Sequence, residues 1–200
     1  MATGDSRKWV AFGTELFLTH ATELSEPSAL PGWTRKHLAA HVAANADALG
    51  NLVHWARTGE RTPMYTSPEQ RNADIEAGSQ RPEAQLTAWL RDSARSLESA
   101  MAALTAEQWQ AEVVTAQGRT VPATEIPWLR AREVCVHAVD LGTGLTFADL
   151  PEAFLSALVA EIQAKRGLDA VPDGPLPDVA AYLAGRPHSL AGVPDLGPWL

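Results

Sequence analysis

A single cysteine, Cys135, leaves this 200-residue chain without an internal disulfide and fits a cytoplasmic protein, the expected location. There is no run of roughly 18 apolar residues, so no membrane span is expected. The opening "MATGDSRKWVAFG" lacks the charged-then-apolar layout of a signal peptide. Basic residues are in deficit: the formal net charge is −8, and no basic stripe offsets it, which argues against nucleic acid as a partner. Internal repeats and low-complexity tracts are also missing. What is present, 46% hydrophobic and 20% charged residues, is the composition of an ordinary soluble globular domain. The length suits one domain, or one with a small appendage.

Helical periodicity dominates. A first helix is predicted from about Arg7 to Thr22, with Trp9, Phe12, Leu16 and Phe17 as apolar positions. "SEPSALPGW" breaks it. Thr34 is the expected N-cap of a second helix that ends near Arg57 with Gly59 beyond, its stripe being Leu38, Val42, Leu49, Leu52 and Val53. A polar stretch from Thr58 to Pro82 reads as loop with one short helix, and a third long helix follows to Leu104. "TAEQ" at 105–108 has capping-box spacing. "VVTAQGRTVPATEIP" reads as mixed and partly extended. The fourth long helix spans about Trp128 to Leu141, and a fifth follows Pro151 and ends at Gly167. Amphipathic helices in this number predict a mainly α fold, a helix bundle with one shared core.

The stretch "RAREVCVHAVDLG" holds the chemistry. Glu133 and His137 stand four residues apart, hence side by side on a helix, among Val134, Val136, Val139 and Leu141. An ionisable pair in such surroundings needs compensation. The second helix offers His41, on or beside its buried stripe, with His37 at the flank. His54 lies thirteen residues beyond His41, about 20 Å along the helix, too far to share a ligand sphere. Cys135 faces away from Glu133, whereas Asp140 shares the face of Glu133 and His137 and could act behind the ligands or as a fourth one. Two histidines and one carboxylate are the pattern of a catalytic zinc site with an open position. The residues alone leave a second reading open, a buried pairing of Glu133 with Arg130 or Arg132 beside a hydrogen-bonded core histidine.

The segments "LPGWTRKHLAAHVAANADAL", "TPMYTSPEQRNADIEAGS", "TAQGRTVPATEIPWLRAREVCVHAVDLG" and "FADLPEAFLSALVAEI" resemble the mycothiol-dependent maleylpyruvate isomerases, over roughly residues 8 to 166. The resemblance implies a DinB-like four-helix bundle carrying zinc on His41, Glu133 and His137, with Arg71 of "SPEQRN" as a catalytic and substrate-binding arginine. It departs at the C-terminus. Members of that family carry a small α/β domain after the bundle, whereas the last 33 residues here hold six of the fourteen prolines and only "DVAAYLAG" looks regular. The expected organisation is a metal-binding bundle over 1–167 and a short, reduced Pro/Gly-rich extension over 168–200.

The function so implied belongs to gentisate degradation. A thiolate adds to the alkene of maleylpyruvate, the resulting single bond rotates, and elimination gives fumarylpyruvate. The thiol would be mycothiol, with Cys135 in a packing role. The substrate is a dicarboxylate, for which Arg71 and then Arg119 of "QGRTVP" are the cationic candidates. Trp33, Trp55 and Trp128 are expected to pack the bundle, and the protein to act as a monomer. Two alternatives use the same residues: a mycothiol S-transferase acting on another electrophile, and a non-catalytic zinc-binding regulatory module.

Overall fold

Seven α-helices and one two-stranded hairpin are present among the described residues, 3–199, of this computed structural model. In chain order they are α1 (Thr3–His20), α2 (Arg35–Thr58), α3 (Pro68–Ser79), α4 (Glu83–Ala102), β1 (Glu112–Val114), β2 (Thr120–Pro122), α5 (Ile126–Asp140), α6 (Glu152–Arg166) and α7 (Leu176–Leu183). No helix among the described residues is long and apolar enough to cross a membrane. The predicted mainly α fold is the observed one.

The chain divides into two compact units, the first ending at Gly142 and the second beginning at Thr143. In the first, α1 packs on α5, α5 on α2, and α2 on α4, which makes the four-helix bundle. The helix α3 and the hairpin lie against α2. The bundle's apolar stripes behave as their spacing predicts: Leu38, Val42, Leu49 and Leu52 of α2 and Leu86, Leu90 and Leu97 of α4 are buried. The helix α5 is buried on almost every side, from Ile126 to Asp140. Its closest neighbour, α1, approaches at Gly13, where a Cβ would lie 2.6 Å from both Cys135 Sγ and Val134 Cγ2. Any larger residue would force the two helices apart.

The ends of α2 follow their chemistry. Thr34 is extended, and its backbone N–H donates to His37 Nδ1 at 3.1 Å. Gly59 closes the helix at φ 76°, a left-handed conformation suited to glycine. The helices α2 and α5 run antiparallel, and hydrogen bonds fix their register. Arg35 Nε donates to Leu141 O at 2.9 Å at one end, and Arg130 Nη1 donates to Val42 O at 2.7 Å further along.

In the second unit α6 packs on α7, and α7 on a short 3₁₀ turn at Phe147–Asp149. The sequence put the boundary of the metal-binding bundle at 167; the compact units divide at 142, and the apolar stripe of α6 (Phe154, Leu158, Ile162) lies in the second of them. Beyond α7 the chain is irregular, and Arg166 holds it by donating to Leu196 O at 2.7 Å and Gly197 O at 2.9 Å. Within 168–199 the regular element is α7, on the stretch "DVAAYLAG" that alone looked regular in the sequence.

Candidate metal centre

The antiparallel register of α2 and α5 brings His41, in the second turn of α2, against the last turns of α5. His41 Nε2 lies 2.9 Å from Glu133 Oε2 and 3.2 Å from His137 Nε2. Glu133 Oε2 is also 3.3 Å from His137 Nε2. Two nitrogens and one carboxylate oxygen thus converge within 4.8 Å of one another. Both histidines are buried, with side chains 5% and 4% exposed, while Glu133 keeps 14%, so the cluster is open on the Glu133 side.

Asp140 is buried, and its Oδ2 sits 2.8 Å from His137 Nδ1. It orients the ring and leaves Nε2 facing the cluster, the usual partnership of carboxylate, histidine and metal. Of the two roles the sequence left open, this contact fits the supporting one. Arg71, in the second turn of α3, reaches the other side: its Nη2 is 3.3 Å from His41 Nδ1. A guanidinium only donates. His41 Nδ1 therefore accepts, and in the neutral ring the hydrogen sits on Nε2, aimed at Glu133.

The electrostatics follow from burial and partners. Burial pushes the Glu133 carboxyl up, but hydrogen bonds from His137 and His41 hold it well below the carboxylate range. Burial lowers His137, yet Asp140 and Glu133 outweigh it and raise the ring to about 9. His41 is lowered by burial against a partial opposing pull from Glu133. At neutral pH one imidazolium and one neutral imidazole therefore point N–H groups at the same carboxylate oxygen, with those nitrogens only 3.2 Å apart. A cation accepted by all three donors would relieve that crowding and release the His137 proton. The donor set fits a mononuclear metal ion with a position left for a further ligand.

Further residues surround the cluster. Asn45, one turn after His41, is buried, and its Oδ1 accepts from Arg130 Nη1 at 2.9 Å. Burial lowers the Arg130 guanidinium only to about 10, so it stays charged. The Tyr65 ring lies 5.8 Å from the Arg71 guanidinium, and burial raises its phenol. The Trp33 ring sits edge-on to His41 at 5.9 Å, so it flanks the cluster in addition to packing. Trp128 packs edge-on against Trp9 and Trp55 against the core, as expected. Arg119 is not brought to the cluster: it is exposed at the turn between β1 and β2, with its backbone bonded to Thr115. A groove of about 810 Å³ between α1 and α4, lined by Val10, Thr14, Leu18, Ala94 and Met101 among others, shares no residue with the cluster.

Cys135 turns the opposite way, toward α1, with Sγ 3.7 Å from Trp9 O. It is fully buried, and burial pushes its thiol up to about 12. Folded protein is expected to give no reaction with a thiol-titrating disulfide reagent, and one equivalent once unfolded. Cys135→Ala should cost about 1–2 kcal/mol in denaturant unfolding by small-cavity arithmetic and leave turnover near wild type. An abolished turnover in a folded variant would make the internal thiol a reactant.

The fold and this site define a class: helix-bundle proteins that assemble a His–Glu–His metal-type cluster between two antiparallel helices. Within it, residues 9–142 match the family described as "Mycothiol maleylpyruvate isomerase N-terminal domain". A solved crystal structure of a mycothiol-dependent maleylpyruvate isomerase superposes with a TM-score of 0.90 at 38% identity, covering 100% of this chain and 98% of that one. A histidine-to-alanine mutant of that enzyme matches equally. Among curated proteins, none matches. The chain belongs to the mycothiol maleylpyruvate isomerase family. Since 98% of the solved relative is covered, the C-terminal departure expected from the sequence is not seen against it.

Proposed function

We propose that this protein is a mycothiol- and zinc-dependent cis–trans isomerase that converts maleylpyruvate to fumarylpyruvate. The observation that carries the reading is the convergence of His41, Glu133 and His137 in a chain whose whole length matches a solved enzyme of that name. The bound zinc and thiol would together supply a thiolate at neutral pH, the nucleophile that turns the substrate's double bond transiently into a single one.

The protein's own residues do the rest. His41, Glu133 and His137 would hold the ion and leave a position open, as catalytic sites with three protein ligands do. Asp140 fixes the His137 ring, and Arg71 pins a substrate carboxylate through its planar fork. Cys135, buried on the opposite side of α5, does not supply the thiol, so the nucleophile comes from outside.

The test is isomerisation of maleylpyruvate by zinc-loaded protein with and without mycothiol. Turnover is expected only with the thiol, and the thiol is recovered unchanged. Turnover without any thiol overturns the addition–elimination scheme. Thiol consumed one for one with substrate replaces the isomerase with a transferase.

A further inference from the structure

We propose that Arg130 is a positioning residue for the metal cluster: from α5 it clamps the turn of α2 that carries His41, and so sets how far that ring stands from Glu133 and His137. The inference rests on the metal reading above. Both hydrogen bonds of the clamp come from one nitrogen. Arg130 Nη1 donates to Val42 O at 2.7 Å and to Asn45 Oδ1 at 2.9 Å. Val42 follows His41 in the chain, and Asn45 lies one turn after His41 on the same face. On α5, Arg130, Glu133 and His137 stand at i, i+3 and i+7, so one face carries the clamp and two of the three donors. The bond to Val42 goes to the main chain, so it fixes the helix itself as well as a side chain. A carbonyl has two lone pairs, so Val42 O can accept from Arg130 and still serve its own helix.

The surroundings of His41 make such a clamp necessary. Ala39, Ala40, Ala43 and Ala46 are all buried around it. Methyl groups leave a smooth surface, and apolar contact is non-directional, so packing alone sets the slide of one helix along the other loosely. A metal site is far less tolerant. Its ligand distances hold to about 0.2 Å, whereas a helix rises about 1.5 Å per residue. A slip of a small fraction of one residue takes His41 out of range. Directional bonds flank the cluster on both sides: Arg35 Nε on Leu141 O at 2.9 Å beyond it, and Arg130 on Val42 and Asn45 before it. Of the two arginines, Arg130 is the one sealed in the core, at 1% exposed. Burying a guanidinium between apolar helices is costly, and an apolar side chain of similar volume fills such a place at less cost. What the guanidinium adds over that side chain is direction.

The experiment uses the full-length wild type, Arg130→Met, and a double variant that adds Asn45→Leu. The single variant strips the donor from a buried acceptor. The double variant removes both partners and fills the space, which restores stability. Zinc affinity is read by chelator competition, and coordination geometry from the visible spectrum of the cobalt(II)-loaded protein, both well below Tm. Both variants are expected to bind zinc about 10–100-fold more weakly than wild type, the loss found when groups that orient metal ligands are removed. Their cobalt bands should shift, and the double variant should regain most of the Tm. A merely structural role would let affinity and spectrum return together with Tm. Wild-type affinity and spectrum in either variant therefore overturn the proposal. Failure of both variants to fold also overturns it, since Arg130 would then serve the bundle as a whole; if only the single variant fails, the double one decides. A wild type that takes up neither ion overturns the metal reading itself, and the proposal with it.

Discussion

His41→Ala and His137→Ala are each expected to purify with far less than one zinc per chain and with isomerase activity lost by more than about 10²-fold. That figure is the upper end of what removing a mere supporting partner of a metal ligand costs, and a ligand itself should cost more. The geometry leaves little room for substitution. Only His41, Glu133 and His137 converge among the described residues, and the nearest further carboxylate, Asp140, is engaged behind His137 at 2.8 Å. Removing either ring also changes Glu133, whose carboxyl is held low by those two rings against the upward push of burial. Its remaining partner must then stabilise a carboxylate that was built for two. Asp140→Asn should be milder, with zinc affinity falling about 10–100-fold, because it unfixes His137 without removing it. Metal content by mass spectrometry and chelator competition, with circular dichroism to establish folding, reads all three. Full zinc occupancy in both alanine variants would sink the assignment.

Arg71→Ala is expected to lower kcat/KM by about 10²–10³-fold while zinc content stays at wild-type level. The two halves of that statement come from the same contact. Arg71 Nη2 lies 3.3 Å from His41 Nδ1 and can only donate to it. Once His41 Nε2 serves as a ligand, the ring hydrogen sits on Nδ1, and the guanidinium loses that acceptor. It is left with Asn72 and the face of the Tyr65 ring, and with its fork available for an anion. The arginine is therefore expected to serve the substrate and not the ion. Steady-state kinetics on protein of known zinc content separates the two. A variant that lost zinc in proportion to activity would make Arg71 part of the metal site instead.

The features legible in the sequence were those with a period. Leu38, Val42, Leu49 and Leu52 announced α2, and Thr34 and Gly59 its ends, because capping and left-handed glycine are local chemistry. Glu133 and His137 could be paired from their i, i+4 spacing and His41 offered beside them by the buried stripe of α2, whereas the family resemblance was needed to add Arg71. The rest was hidden for physical reasons. Trp33 and Tyr65 stand in connections with no repeat to give their direction, so their approach to His41 and Arg71 exists only in three dimensions. The Asn45–Arg130 pair joins residues 85 apart. Asn45 did leave a trace, a polar residue one turn after His41 inside an apolar stripe, and that trace could have been read. The division at 142 left no trace in the sequence, because the apolar face of α6 looks the same whichever core it joins.

The donors of the cluster are separated by 92 and 96 residues along the chain. No fragment short of a nearly complete bundle contains the site, and a half-folded chain offers at most the local Glu133–His137 pair. Closing so long a loop is slow compared with forming the helices themselves. The ion's full affinity is therefore realised only after the bundle has closed, and it then acts on the unfolding step. Zinc should leave the refolding rate nearly unchanged and slow the unfolding rate, making the loaded protein durable in time as well as stable at equilibrium.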